Sequence, residues 1–584
     1  MKLRLPDGVE NENIEVAASW SDPLPFEFYQ GDSKFEPSEG SDVGVRAGTD
    51  GPVEFTDATT DGETVEESDI WKWRDRILYF FNQYRGLQVI DVSDSSNPER
   101  LASLRVPFSG EQLYLHPSER SVVLLTYDPA TNGGRVMIVE HTADNQLKQQ
   151  SSVPVPGYIL ESRMVGSALY VVSQQTWQER VVDPDTGAEH IKWESGLSVS
   201  KMDLADPANP VVADPLELKN GKYDYWGAQV QATPETLLVS TNSYDSVLRQ
   251  STSTVHVIDI SDPDEGPTLR HHVAITGRVL DKFSMRIKDN ILTVVSQVWR
   301  WQNTRQRWAS VETFDLSEAP EDVEEPLAQL EFANDESITA TRFSGYLLYV
   351  VTVLQIDPLF IIDLADPRDP RLLGELEAPG FSTHLEPYGE DSLISVGVEG
   401  NQLAVSWFDV ANQGEPSLKS RVHVGEEEGW TWSEANWDEK AFGFFPEENL
   451  ILLPYQGSVP NVGWMSGIQI IEIGEEELVK RGSIEHAFQA RRARVVEDSV
   501  VSISGQSLKT LDISDPDNPA LLADLILAWP VDYIHRVGEI WYKSSVGKII
   551  TEPTALGAIP AQSCKCLPLR IPMKVLRHLI SLKE

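Results

Sequence analysis

The chain has 584 residues, 41% of them apolar, and carries a formal net charge of −43. Such a charge repels nucleic acid and anionic membrane surfaces, and it suits cationic ligands, divalent ions or simply a well-solvated surface. Only two cysteines occur, Cys564 and Cys566, too few and too close together to staple a core or build a zinc site, and no apolar run of about 18 residues exists to span a bilayer as a helix.

In chain order, the opening MKLRLPDGVENENIEV has two basic residues but no apolar run after them, so it does not read as a secretory signal. Residues 1–67 form an acidic segment. From Gly31 to Glu67 it is mostly Gly, Ser, Thr, Asp and Glu, and it is expected to be largely disordered because it offers little apolar surface to offset ordering. Structure should begin near Asp69, where strand-like runs such as ILYFF and GLQVID start.

From there one phrase recurs: IDVSDSSNP at Ile90, MDLADPANP at Met202, IDISDPDEGP at Ile258, IDLADPRDP at Ile362 and LDISDPDNP at Leu511. Each copy is an apolar and acidic alternation running into a turn closed by proline. With the looser copies, the acidic markers fall at 91, 140, 203, 259, 315, 363, 409, 472 and 512, about 53 residues apart. Several short strands at such a period predict an all-β chain: a single large β-propeller of eight or nine four-stranded blades over residues 68–530. The number falls to eight or fewer if the weak markers Glu140 and Glu472 are loops. Thr176–Ser195, Ser243–Ser253 and Trp299–Trp308 read as polar or Trp-rich loop insertions, the usual sign of a binding face. Residues 531–584 read as an irregular, comparatively basic tail, in which Ile571, Val575, Leu579 and Leu582 could line one face of a short helix.

Candidate functional residues come from two patterns. Six residues before a second-strand aliphatic stand Lys72, Arg163, Arg286, Arg342 and Arg494, on the strand that lines a propeller's channel. They form either a collar for an anionic ligand or ties to the recurring aspartates Asp203, Asp259, Asp315 and Asp363. The second pattern is GWTWSEANWDEKAF, Gly429 to Phe442. Read as a strand, it aims Glu434, Asn436 and Asp438 one way, as for a divalent cation such as calcium, beside Trp430, Trp432 and Trp437. Its alternative is blade packing with those polar groups satisfied internally. His384 stands on the corresponding strand of the preceding unit, and Arg492 in the ARRAR run completes the set. No GxSxG, HExxH, Walker or dinucleotide motif is present.

The strings GLQVIDVSD, DPLFIIDLADPRDPRLLGELEAPGFSTHLEPYG, WSEANWDEKAF and the RRA at Arg491 to Ala493 resemble the secreted bacterial and archaeal proteins with a C-terminal β-propeller domain. The likeness covers about Glu67 to Leu527. It implies a propeller in the periplasm, at the cell surface or outside the cell, and brings no catalytic residues with it. The chain departs from the pattern in its opening and in its basic tail. The expectation is a monomeric, non-enzymatic binding or scaffold module for a protein, peptide or saccharide. The competing expectation is a hydrolase or lyase using Arg342, His384, Glu434 and Asp438, with or without a cation.

Overall fold

The recurring aspartates act on the turns. Asp91, Asp203, Asp259, Asp315, Asp363, Asp409 and Asp512 each accept the backbone N–H two residues on, at 2.7–3.0 Å. In five copies the next aspartate of the phrase, such as Asp206 or Asp366, does the same. These turns offer the chain a hydrogen-bonded reversal at the end of seven of the nine third strands. The phrase therefore recurs for turn chemistry, and its first aspartates are not the partners of the basic collar.

The computed structural model describes residues 65–528 apart from short stretches in loops, together with 533–537 and 540–544. Calls on the opening residues 1–64, on the tail helix and on both cysteines lie outside the described residues. Blade 1 shows the plan: Trp71–Arg74, Ile77–Asn82, Gly86–Asp91 and Glu99–Leu104 pair antiparallel in sequence order. Blades 2 to 9 repeat it, beginning at Ser109, Tyr158, Ala228, Met285, Ser337, Phe381, Trp430 and Ala490. Blades 4 and 5 merge into one sheet through a single pair between their long hairpins, Gln250 and Arg300. The weak markers Glu140 and Glu472 lie on full third strands, Gly133–His141 and Gly463–Ile473, so the described ring has nine blades.

The second and third strands read as nearly continuous apolar runs because both faces of each blade are covered by neighbours. Nine buried clusters result, one at each junction. The cluster between blades 9 and 1 holds Ile70, Trp71, Leu78, Phe80, Val501, Ile503 and Leu508, and closes the ring. Arg76 pairs with Glu497 and Thr510 bonds the Ser95 carbonyl across the same seam. Closure leaves no sheet edge open between the first and last blades. The fourth strands face outward and are the most exposed, as in Ala520–Ile526.

Two expectations change here. The three insertions are ordered β-hairpins: the ladder of blade 3 runs on to Val182 and Glu189, that of blade 4 to Asp245 and Gln250, and that of blade 5 to Gln302 and Thr304. Alternating β-branched and aromatic residues extend the ladders where only polarity was legible. The last residues of the acidic segment are also ordered. Val65 and Glu66 add an edge to the inner strand of blade 3, and Asp69 exchanges backbone hydrogen bonds with Leu113 of blade 2. Residues 531–584 form a separate unit, whose described part is the hairpin Tyr533–Val537 and Ile540–Ser544.

Candidate functional site

The collar positions are structurally equivalent, and each reaches the next blade. Lys72 Nζ lies 5.9 Å from the centre of the Tyr114 ring. Arg163 donates to the Val230 carbonyl. Arg286 donates to the Gly345 carbonyl at 2.7 Å and covers Phe343. Arg342 pairs with Glu386 at 2.8 Å, and Arg494 covers Trp73 at 5.5 Å. Period and pleat put one long cation on the same side of five of the nine inner strands, where the neighbouring blade supplies the partner. The collar thus ties blades, through different groups from the aspartates expected. The contacts described for Arg286 and Arg494 lie outside the ion-pair cluster at the axis.

Most of that cluster is built by a device the sequence did not announce. The inner strands of blades 2, 3, 6, 7 and 9 each carry a β-bulge near their start, at Ser109/Gln112, Ile159/Glu161, Ile338/Ala340, Ser382/His384 and Ala490/Arg492. A bulge re-aims the extra residue and its neighbour. Gly397 stands opposite the blade 7 bulge, where a Cβ would lie 1.9 Å from the Phe381 carbonyl oxygen, so only glycine fits. Thr339 and Thr383, the bulged residues of blades 6 and 7, each donate to a second-strand carbonyl at 3.2 Å. From blades 2 and 9, Glu111 and Arg491 pair at 3.0 Å.

The string from Gly429 to Phe442 forms two short 3-10 turns, Glu434–Asn436 and Glu439–Ala441. Ser433 and Asn436 cap the first reciprocally, and Asp438 accepts the Lys440 N–H at 3.2 Å to cap the second. The capping pattern S-x-x-N overrides the strand period. Glu434, Asn436 and Asp438 therefore do not share a face as cation ligands. Glu434 is buried against Arg491 at 2.8 Å and Arg492 at 3.1 Å, and Asp438 takes Arg492 at 2.6 Å. Arginine fills the place proposed for a metal, and among the described residues no cluster of three or more His, Cys, Asp or Glu is set to hold one. Trp430 and Trp437 are partly exposed, and Trp437 packs at a tilt against Trp432 with ring centres 4.9 Å apart, so they do not fill the space between blades.

Two further ion-pair groups complete the axis. Lys282, on the turn Lys282–Ser284 ahead of blade 5, bonds Glu67 at 2.6 Å and Glu439 at 2.7 Å, while Arg163 holds Glu67 at 3.3 Å and Glu161 at 3.0 Å. His384 Nε2 lies 2.7 Å from Glu386, which also holds Arg342. Burial opposes ionisation of Glu67 and Glu386, yet their cationic neighbours hold both at about 2. Burial dominates at Glu161, which is pushed up to about 7 against the pull of Arg163, and at Asp438, which rises to about 6.

One cavity of about 250 Å3 stays open beside this network. Its walls include Glu161, Asp281, Lys282, Phe283, Thr339, Thr383, His384, Asn436, Trp437 and Glu439. Of the expected site residues it gathers His384 and Asn436 directly, with Arg163 and Arg342 behind its wall. Trp432, Glu434, Asp438, Arg492, Arg286 and Arg494 are not on its wall. Glu161, Lys282, Asp281 and Glu439 were missed because bulges and 3-10 turns break the strand period; the S-x-x-N cap was the legible signal. In each antiparallel blade the start of the first strand and the turn between second and third strands lie at one end. The cavity, lined from first-strand starts, opens on the face from which the long hairpins project. Those hairpins, and the equivalent blade 8 ladder of Leu450–Val459 with Gly463–Ile473, carry exposed aromatics, among them Trp193, Trp301 and Trp464.

Among curated proteins, the chain is 30% identical over 199 residues to an uncharacterised protein of Archaeoglobus fulgidus, a match covering 34% of this chain and 30% of that one. It is 28% identical over 241 residues to an uncharacterised protein of Methanocaldococcus jannaschii, covering 41% and 36%. The matches thus span about a third of the length of these relatives. Among solved structures, Kluyveromyces lactis Hsv2 aligns at TM-score 0.33 and 12% identity over 61% of this chain and 99% of its own, a likeness too low to bear on function. The model of the Beta propeller domain family matches residues 59–516, and the chain belongs to that family.

Proposed function

We propose that the ring is a non-enzymatic binding module that holds a peptide, saccharide or protein partner on its hairpin-bearing face, with the axial cavity as anchor. The observation that carries this reading is the shared face: a concave, part-aromatic cavity opens where Trp-bearing hairpins project. Concave sites with a few convergent polar groups suit ligands, and exposed aromatics suit partner contacts. The enzymatic reading needs His384 and a carboxylate from Glu434 or Asp438 to converge on the cavity. His384 instead bonds Glu386, while Glu434 and Asp438 end on Arg491 and Arg492. The resemblance stated above supports a place at or outside the cell surface for this module, which protease treatment of intact cells would test by cleaving it there.

Screening displayed peptide and glycan libraries against the full chain tests the function. Ligands should lose affinity at least about tenfold when Trp301 and Trp464 are both changed to Ser, as removal of an aromatic anchor pair does. Ligands indifferent to that change would contradict the reading, as would turnover of ester, amide or glycoside substrates that disappears in His384→Ala.

A further inference from the structure

We propose that the axial cavity is a site for an organic cation, a guanidinium or ammonium group, carried by an Arg or Lys side chain of a partner segment or by a free amine. This rests on the binding reading above and names what its anchor takes. The cavity, at about 250 Å3, exceeds the ~150 Å3 that admits a benzene ring, so a cationic side chain fits with room for water.

Charge decides the class of ligand. The cations of the wall are already engaged: Lys282 by Glu67 and Glu439, and Arg163 and Arg342, behind it, by their own carboxylates. The carboxylates are less fully used. Glu161, nine-tenths buried, receives Arg163 at one oxygen, and its other oxygen takes no hydrogen bond among the described residues. Asp281 stands on the same wall and accepts Ser284 at 2.8 Å and Thr341 at 3.3 Å through one oxygen, Oδ1. A charged donor reaching the other Glu161 oxygen from the cavity would form a charge-assisted hydrogen bond and favour the ionised form that burial disfavours. An anion would meet these carboxylates unscreened, and an apolar ligand would leave them unpaired. Trp437 adds an aromatic face at the rim, and a cation within about 6 Å of such a ring is attracted to it.

Calorimetric titration of the full chain tests the proposal with four probes: agmatine, acetyl-arginine methylamide, its citrulline counterpart and inorganic phosphate. One of the two guanidinium probes, or both, should bind one to one. Citrulline should bind at least about tenfold more weakly, and phosphate not at all. Glu161→Gln and Trp437→Ala, each checked by circular dichroism for an intact fold, should weaken guanidinium binding by at least about tenfold, the loss of a charge-assisted bond or a cation–π contact. Preference for agmatine points to a free amine as the natural ligand, and preference for the arginine amide to a partner side chain. Equal binding of citrulline, binding of phosphate, or indifference to both substitutions would overturn the proposal. If library ligands need Trp301 and Trp464 but keep their affinity when Arg and Lys are removed from them, the cation site falls and the module stands. If no ligand depends on the hairpins, the reading beneath it falls.

Discussion

Arg492 donates to Asp69, Glu434 and Asp438 at 2.6–3.3 Å while almost wholly buried. Such a hub is not by itself stabilising, but removing it leaves the buried Asp69 and Asp438 without their cation, while Glu434 keeps Arg491. Arg492→Met should therefore cost about 3–5 kcal/mol in urea unfolding, whereas Arg286→Met, which loses a surface hydrogen bond and a ring contact, should cost about 1 kcal/mol. Equal costs would refute the distinction between axis and periphery. The axial carboxylates also give opposite pH signatures. Glu67 and Glu386 sit at about 2 in the fold against 4.5 ordinarily, so their contribution is full above pH 4.5 and is lost as pH falls towards 2. Glu161 sits at about 7, so its contribution is full below pH 4.5 and is lost as pH rises through 7. Between pH 5 and 8, unfolding free energy of the wild type should thus fall relative to that of Glu161→Gln by roughly 2–3 kcal/mol. A difference constant across that range would contradict the burial of Glu161.

At the scale of the element, the bulges and capped turns decide what reaches the axis. Thr339→Val and Thr383→Val keep the shape of each bulge but remove its hydroxyl bond to the second strand, and each should cost about 1 kcal/mol by thermal or urea unfolding. No change in either would mean the hydroxyls are idle. The same elements explain how far the sequence could be read. Strand order and a blade number of eight or nine follow from the aspartate phrase because turn chemistry is local, and Arg163, Arg342 and His384 could be placed near the axis by counting along strands; the weak markers Glu140 and Glu472 left the last blade open. Glu161 and Thr383 could not, since a bulge shifts the register by one without a fixed sequence mark. Glu434 and Asp438 were visible, but their partners Arg491 and Arg492 lie on another blade, and a pairing across that separation leaves no local trace. The hairpin extensions were mistaken for loops because solvent-facing ladders are polar on one side.

For the whole molecule, the seam between blades 9 and 1 should be as strong as any other junction, because its apolar cluster is comparable to the rest. Leu508→Ala at the seam and Leu124→Ala between blades 1 and 2 should each cost about 2–5 kcal/mol. A negligible effect of Leu508→Ala would indicate an open ring. The tied axis and the axial cavity then form a consistent whole: buried arginines and Lys282 pair with most of the axial carboxylates, while Glu161 and Asp281 line the ligand space. The most direct test is a crystal structure of the full chain grown with agmatine. The account predicts a closed nine-blade ring with the guanidinium against Glu161 and Trp437; a ring of another blade number, or a guanidinium bound elsewhere while the cavity holds an anion, would contradict it.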